Sequence, residues 1–520
     1  MTTTLCLIAV LLIEPLRAVG AGLEPVSPQA TAVLPTTPPV PAVSGPIPVT
    51  AHSWPWIAAN HTAGPIDLAH VGYIEEEYIV KGRARVFDWP SIDHLSSIAE
   101  GPYVTRILVR SPADPRRFSG TAWVEPLNPS MRYDLPLVWG DTHDYLVSHG
   151  DIWVGVTVKP VAIQSLQEFD AQRYGELQMP NPLPLRATCP PSVLPMPRGG
   201  LPPESSPRSE NGLIWDILSQ TAAFLRDPPP AHPLHRFHLQ RLFMMGDSQS
   251  GAFVLTYANA IHPFVTSANG GPLYDGYIAT VASGPSTPIR QCAQPVTQGD
   301  PRGIIQPRGV PIMTIVSETE MVALHRRPDS DRFPDLFRRY EVAGASHVHA
   351  SDGQDAPAAS DAARTQGARF DTNTGCLQQG APPNDVPIGM IVDAALANLD
   401  RWSRHGIPPP IGKPISVDEH SGAAPEVQRD SFHNALGGVR TPALDVPIAR
   451  YHPRMSGPGV CELWGYREPF TTTQLQTLYP TREDYLSRLR ANVAERVAQR
   501  WLTARDGDRI VATASTARIP

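Results

Sequence analysis

A strand-turn-helix pattern in the middle of the chain constrains the fold more than any other feature. Residues 241–261 read RLFMMGDSQSGAFVLTYANAI, an apolar run followed by a short Gly/Ser segment and a second apolar run. The first run has the length of a buried strand, and the second has the length of a helix. Gly246 and the small residues Ser250 and Gly251 allow the two elements to meet in a sharp turn. This pattern predicts a layered α/β sheet.

Further apolar runs on both sides of this turn extend the same pattern. Alternating runs predict antiparallel strands that lead into the main sheet, near residues 78–87, 103–112 and 118–129. Continuous runs predict strands of the main sheet, at residues 134–140, 152–158, 310–316 and about 338–343. Apolar residues at helical spacing predict helices near 213–225, 388–402 and 481–501. Strands that alternate with helices favour a mainly parallel sheet with helices on both faces.

Proline content divides the chain. The 520 residues include 59 prolines, about twice the usual share, which indicates much irregular structure. Residues 22–48 predict an extended proline-rich linker, and residues 49–520 predict a single domain. Within that domain, residues 159–208 predict a long irregular insertion that forms one wall of a pocket. The net charge of −7 is mild and no basic stripe is present, so a nucleic-acid partner is not expected.

The first residues resemble an export signal. An apolar core from Leu5 to Ile13 is too short to span a bilayer, and small residues follow at Val19 and Ala21. Nothing basic precedes Arg17, so the usual charged start is missing, and an apolar N-terminus without a targeting role is the alternative. We expect a signal peptide over residues 1–21, a secreted or periplasmic protein, and no membrane span.

Four cysteines remain once Cys6 is removed with the signal, and an even number in an exported protein predicts one or two disulfides. They are Cys189, Cys292, Cys376 and Cys461. Their spacing leaves the pairing open and fits no zinc pattern. No dinucleotide-binding or Walker-type glycine loop occurs in the sequence. We therefore expect neither a metal nor a cofactor.

The Gly/Ser segment has the pattern of a nucleophile elbow. In such an elbow a serine follows a glycine by two positions, and its oxygen is exposed at the start of a helix. Counting from Gly246 places Ser248 at that position. A second frame would make Ser250 the nucleophile, but it lacks the leading glycine. A purely structural Gly/Ser turn is the remaining alternative.

Partners for Ser248 occur in the order serine, acid, histidine that this kind of site uses. Glu318 and Glu320 follow the strand predicted at 310–316, and His347 follows the next strand, with His349 nearby. Glu320 is preferred as the acid because it lies three residues after Ser317, a glycine-like position. Glu318 is the alternative. We expect the Gln249 N–H to be one oxyanion donor, and Asp141 near Gly140, in a loop after the strand predicted at 134–140, to supply the second.

Several segments together resemble bacterial α/β-hydrolase-domain proteins with a G-x-S-Q-S-G elbow. They cover roughly residues 75–515 and read GLIWDILSQTAAFLR, GDSQSG, YDGYIATVASGP, VPIMTIVSETEM, YEVAGASH, LDRWSRHGIPPP, LGGVRTPALDVPIARY and LYPTREDYLSRL. The resemblance implies an α/β-hydrolase fold and a serine hydrolase, and it implies no particular substrate. Glu320 stands where aspartate is more usual, and the proline-rich insertion at 180–208 is long. We expect hydrolysis of a small carboxylic ester, with amide cleavage or a non-catalytic binding role as alternatives.

Overall fold

A ten-stranded sheet forms the centre of the computed structural model. The structure describes residues 36–183 and 206–516, apart from 283, 295, 298, 324–325, 352, 368–374, 419–425 and 459. The signal peptide predicted at 1–21 lies outside the described residues, as do Cys6, Cys189 and most of the proline-rich insertion. No helix among the described residues is long and apolar enough to cross a membrane.

The strands of the large sheet follow the spatial order β1-β2-β3-β5-β4-β6-β7-β8-β10-β9. They span Ala42–Ser44 (β1), Tyr73–Ser91 (β2), His94–Pro112 (β3), Thr121–Pro126 (β4), Ile152–Val156 (β5), Arg241–Asp247 (β6), Gly276–Thr280 (β7), Ile312–Ser317 (β8), Ser330–Arg332 (β9) and Asp335–Val342 (β10). Four short strands form two separate pairs, Val417–Asp418 (β11) with Glu426–Val427 (β12), and Ala449–His452 (β13) with Tyr466–Pro469 (β14).

Six adjacent strands of this sheet, from β5 to β10 in spatial order, run parallel. Their apolar side chains are buried, as expected for strands covered on both faces. The helices span Leu137–His149 (α1), Pro160–Phe169 (α2), Ala171–Tyr174 (α3), Ile214–Arg226 (α4), Gln249–Ala260 (α5), Ala359–Ala362 (α6), Ile388–His405 (α7), Pro442–Asp445 (α8), Thr472–Leu478 (α9), Arg482–Ala498 (α10) and Ala504–Ala514 (α11). The predicted α/β class with a mainly parallel sheet is confirmed.

The prediction of a strand at 134–140 is wrong, because residues 137–140 form the first turn of helix α1 and residues 134–136 end the loop before it. The cause is a buried carboxylate on the neighbouring strand β4. Glu125 accepts hydrogen bonds from the N–H groups of Val138 and Trp139, which lie in the first turn of α1. Trp153 donates a third hydrogen bond to Glu125, and burial raises the pKa of this carboxyl to about 7. Such a contact satisfies helix N–H groups that otherwise lack an acceptor.

Three other expectations need adjustment. The segment 118–129 forms β4, which pairs parallel with both neighbours rather than antiparallel. The first part of the region 159–208 is helical, as α2 and α3, because apolar residues at helical spacing bury one face of α2. The linker predicted at 22–48 contributes β1, an edge strand paired antiparallel with β2, so the sheet begins before residue 49.

A disulfide joins Cys376 and Cys461, two of the cysteines in the predicted set. Both are buried together with Met455, in a small apolar cluster away from the main core. Cys292 is also disulfide-bonded. The prediction that the chain contains disulfides is therefore confirmed for the described residues.

Candidate active site

Ser248 lies in a strained turn between β6 and α5. Its backbone angles are φ 53° and ψ −115°, a conformation that side-chain-bearing residues rarely adopt. A side chain on Gly246 would place its Cβ 2.5 Å from the Ser250 carbonyl oxygen, and one on Gly251 would place it 2.8 Å from the Ala282 Cβ. The two glycines therefore allow the close approach of strand and helix that the sequence pattern predicts.

A continuous chain of hydrogen bonds joins Ser248 to a histidine and a carboxylate. The distance from Ser248 Oγ to His347 Nε2 is 2.9 Å, and the distance from His347 Nδ1 to Glu320 Oε1 is 2.7 Å. The His347 side chain is 14% exposed and that of Glu320 is 7% exposed. The imidazole is therefore partly exposed to solvent, while the carboxylate behind it is shielded from solvent.

The parallel sheet brings these three residues together. Ser248 follows β6, Glu320 follows β8, and His347 follows β10, three strands that lie close together in the spatial order. The carboxyl ends of parallel strands meet at one edge of a sheet, where binding sites of α/β proteins commonly form. A hydroxyl, imidazole and carboxylate in this order can activate the hydroxyl as a nucleophile.

The two acids of the turn have different partners. Glu320 uses one carboxylate oxygen for His347 and accepts the Ser317 N–H with the other, at 2.8 Å. Glu318 instead accepts hydrogen bonds from the Gly344 N–H at 2.9 Å and from Arg429 at 2.6 Å. The structure brings Glu320 to the histidine and gives Glu318 contacts that hold the neighbouring backbone.

Ser250 and His349 do not take part in this chain. Ser250 is fully buried, and its hydroxyl accepts the Asp247 N–H and donates to the Asp247 carbonyl oxygen, both at 3.0 Å. His349 Nε2 lies 3.5 Å from Asp141 Oδ2, and its Nδ1 lies 2.9 Å from Ser351 Oγ. The hydroxyl of Ser250 therefore stabilises the turn.

The two residues expected to supply oxyanion donors lie in different settings. Gln249 is the first residue of α5, where N–H groups point out of the helix end toward the region of Ser248. Asp141 lies within α1 rather than in a loop. A backbone N–H inside a helix is used by the helical hydrogen-bond ladder, so the reason for choosing Asp141 is lost. The error follows from the wrong strand at 134–140.

The loop after β4 contacts the elbow that contains Ser248. Residues 127–136 connect β4 to α1, and Asn128 of this loop donates from its side chain to the Asp247 carbonyl oxygen at 2.8 Å. The Asn128 side chain also accepts the Ser130 N–H at 2.9 Å. This loop is therefore attached to the elbow. In the sequence, only a correct prediction that strand β4 ends at Pro126 could have identified this loop.

No group of three or more histidine, cysteine, aspartate or glutamate residues in the described parts of the chain has a geometry suited to a metal ion.

Comparison with known families agrees with the fold. Residues 43–512 match the family described as "Alpha/beta hydrolase domain", which is most of the chain. The protein therefore belongs to the α/β hydrolase domain family. Among curated proteins, none matches this chain.

Solved structures give weaker likenesses. Esterase Est22 is 13% identical with a TM-score of 0.24, over 49% of this chain and 68% of its own. An alpha-beta serine hydrolase homologue from Coxiella burnetii is 11% identical with a TM-score of 0.25, over 47% and 84%. The siderophore hydrolase EstA from Aspergillus nidulans is 12% identical with a TM-score of 0.23, over 48% and 73%. TM-scores this low carry no inference about activity.

Proposed function

We propose that this protein is an exported serine hydrolase that cleaves small carboxylic esters through an acyl-enzyme. The observation that carries the proposal is the chain of two hydrogen bonds from Ser248 through His347 to Glu320, with Ser248 in a strained elbow. The backbone strain at Ser248 costs free energy in folding, and such strain clusters at functional sites.

In the proposed reaction, Ser248 Oγ attacks the ester carbonyl while His347 Nε2 accepts the hydroxyl proton. The tetrahedral intermediate then collapses, the ester C–O bond breaks, and His347 returns the proton to the leaving alcohol. Water attacks the resulting acyl-enzyme with the same help from His347 and releases the acid. Glu320 holds Nδ1 of the imidazole throughout and stabilises the imidazolium.

The negative charge on the intermediate needs hydrogen-bond donors, and we propose that they come from two segments. The Gln249 N–H at the start of α5 is the first, supported by its position next to Ser248 and by the positive end of the helix dipole. The second comes from the loop 127–136, which is attached to the elbow through Asn128. This replaces the sequence-based choice of Asp141.

The substrate class is tested with a panel of p-nitrophenyl esters of increasing acyl length, set against aminoacyl p-nitroanilides. We expect turnover of short esters, at a kcat/KM well above that of any anilide. A Ser248→Ala control should lose this turnover. A higher kcat/KM for anilides would favour the amide hydrolase instead, because the same residues can cleave both bonds. If Ser248→Ala kept both the ester and the anilide activity, that result would contradict the proposed nucleophile.

Export is the remaining part of the proposal, and it is supported by the Cys376–Cys461 disulfide and by the apolar segment Leu5–Ile13. Disulfides persist in oxidising compartments and are rare in a reducing cytosol. We further propose that the mature chain is a single catalytic domain and, from the sequence resemblance, that it belongs with proteins carrying a G-x-S-Q-S-G elbow.

The mature protein is expected to begin near Gly22 and to show fewer than four titratable thiols when unfolded without reductant. Removing the bridge with Cys376→Ala should lower the free energy of unfolding by about 2–4 kcal/mol, because the disulfide closes a loop of 85 residues. Thiol titration, intact-mass analysis and urea unfolding measure these outcomes. Four free thiols would contradict the disulfides and leave the hydrolase proposal untouched.

A further inference from the structure

We propose that Thr319 is a positioning residue whose hydroxyl fixes the backbone of His347 and thereby keeps the imidazole between Ser248 and Glu320. The inference rests on the proposed hydrolase function and names a residue outside the expected triad. Thr319 lies between Glu318 and Glu320, in the turn that follows β8.

The Thr319 hydroxyl both accepts and donates a hydrogen bond. It accepts the backbone N–H of His347 at 3.0 Å and donates to the Pro453 carbonyl oxygen at 2.8 Å. The residue is only 7% exposed. A shielded backbone N–H needs an acceptor, so His347 depends on this oxygen or must move to find another.

The same turn therefore holds His347 at two atoms. Glu320 binds Nδ1 of the ring, and Thr319 binds the main-chain nitrogen of the same residue. These two contacts come from adjacent residues, so they fix the backbone and the ring relative to a single rigid support. The position of Nε2 opposite Ser248 follows from both contacts rather than from the Glu320 carboxylate alone.

The turn is itself held on both sides. The Thr319 N–H donates to Ser317 Oγ at 3.1 Å, and the Thr319 carbonyl oxygen accepts a hydrogen bond from Arg454. Pro453 and Arg454 belong to the segment after β13, far from the elbow in sequence. A turn that is fixed by several contacts limits the movement of the side chains it positions, and reacting groups must be held in a defined geometry.

The decisive variant is Thr319→Val, which keeps the shape of the side chain and removes its oxygen. We expect kcat per active site to fall about 10- to 100-fold with KM changed less than about 2-fold, since a small misplacement of a reacting group has effects of this size. The acidic limb of the kcat/KM pH profile, which reports the base of the free enzyme, should also move to lower pH as the imidazole loses register with Glu320.

Thr319→Ser is the matched control, because it restores the hydroxyl, and its kcat should stay within about 3-fold of wild type. Active sites are counted by titration with a fluorophosphonate, and folding is checked by circular dichroism, so a loss of folded protein is not mistaken for a loss of rate. If Thr319→Val does not fold, Thr319→Ala removes the same oxygen without placing a methyl group against the Pro453 carbonyl.

An unchanged kcat per titrated site and an unmoved pH profile in Thr319→Val would overturn this inference while wild type still hydrolyses esters. Equal losses in Thr319→Val and Thr319→Ser would also overturn it, because the hydroxyl would then not be the group that matters. Wild-type protein that neither reacts with the fluorophosphonate nor turns over esters would instead contradict the proposed function itself.

Discussion

Ser248→Ala and His347→Ala should each lower kcat on a p-nitrophenyl ester by about 10⁶-fold, the scale seen when the nucleophile or base of such a site is removed. Without the Ser248 hydroxyl no acyl-enzyme can form. Without the imidazole, Oγ loses the nitrogen that lies 2.9 Å away and accepts its proton in the proposed reaction. The double variant should be no slower than either single one, since the two groups act as a unit. Stopped assays on purified, folded variants measure these rates.

His349→Asn is the matched control for the histidine variant. His349 lies two residues beyond His347, and its ring contacts Asp141 and Ser351 rather than Ser248. We expect this variant to retain activity close to wild type. A loss of activity in His349→Asn equal to that in His347→Ala, with folding intact, would show that the base is assigned to the wrong histidine.

Glu320→Gln should lower kcat by up to about 10⁴-fold, the second largest effect. The amide keeps the size of the side chain but removes the charge that stabilises the imidazolium. It can also donate to Nδ1, which would favour the wrong imidazole tautomer. KM should change little, because Glu320 lies behind His347 and its side chain is only 7% exposed.

Glu318→Gln provides the comparison for this acid. The Glu318 carboxylate binds Gly344 and Arg429, so its amide should reduce stability more than it reduces the rate per active site. Thermal unfolding and kcat per titrated site separate the two effects. A slow Glu318→Gln variant beside an active Glu320→Gln variant would reverse the assignment of the acid.

Local patterns in the sequence were sufficient to place the residues that follow strand ends. The apolar run before Gly246 and the runs before Glu320 and His347 are short and continuous, as buried parallel strands are. Because the carboxyl ends of such strands share one edge of the sheet, residues far apart in sequence could be expected together. In the structure His347 is hydrogen-bonded to Ser248 on one side and to Glu320 on the other.

Features that depend on tertiary partners could not be predicted in this way. Residues 134–140 have the pattern of a strand, yet the Glu125 carboxylate accepts hydrogen bonds from the first turn of a helix there. Because a strand was expected at these residues, the oxyanion loop was expected after them, near Asp141. Thr319 gave no signal because the partners of its hydroxyl, His347 and Pro453, lie 28 and 134 positions away in sequence. The preference for Glu320 over Glu318 rested on spacing, whereas the structure separates them by their partners.

The most direct test of the proposed nucleophile is labelling of the purified protein with a fluorophosphonate, followed by mapping of the modified peptide. These probes react with an activated serine and form a stable adduct at its oxygen. The account predicts one equivalent of label per chain, located on Ser248, and no label on Ser248→Ala. An unlabelled wild-type protein, or a Ser248→Ala variant that is labelled as fast as wild type, would contradict it.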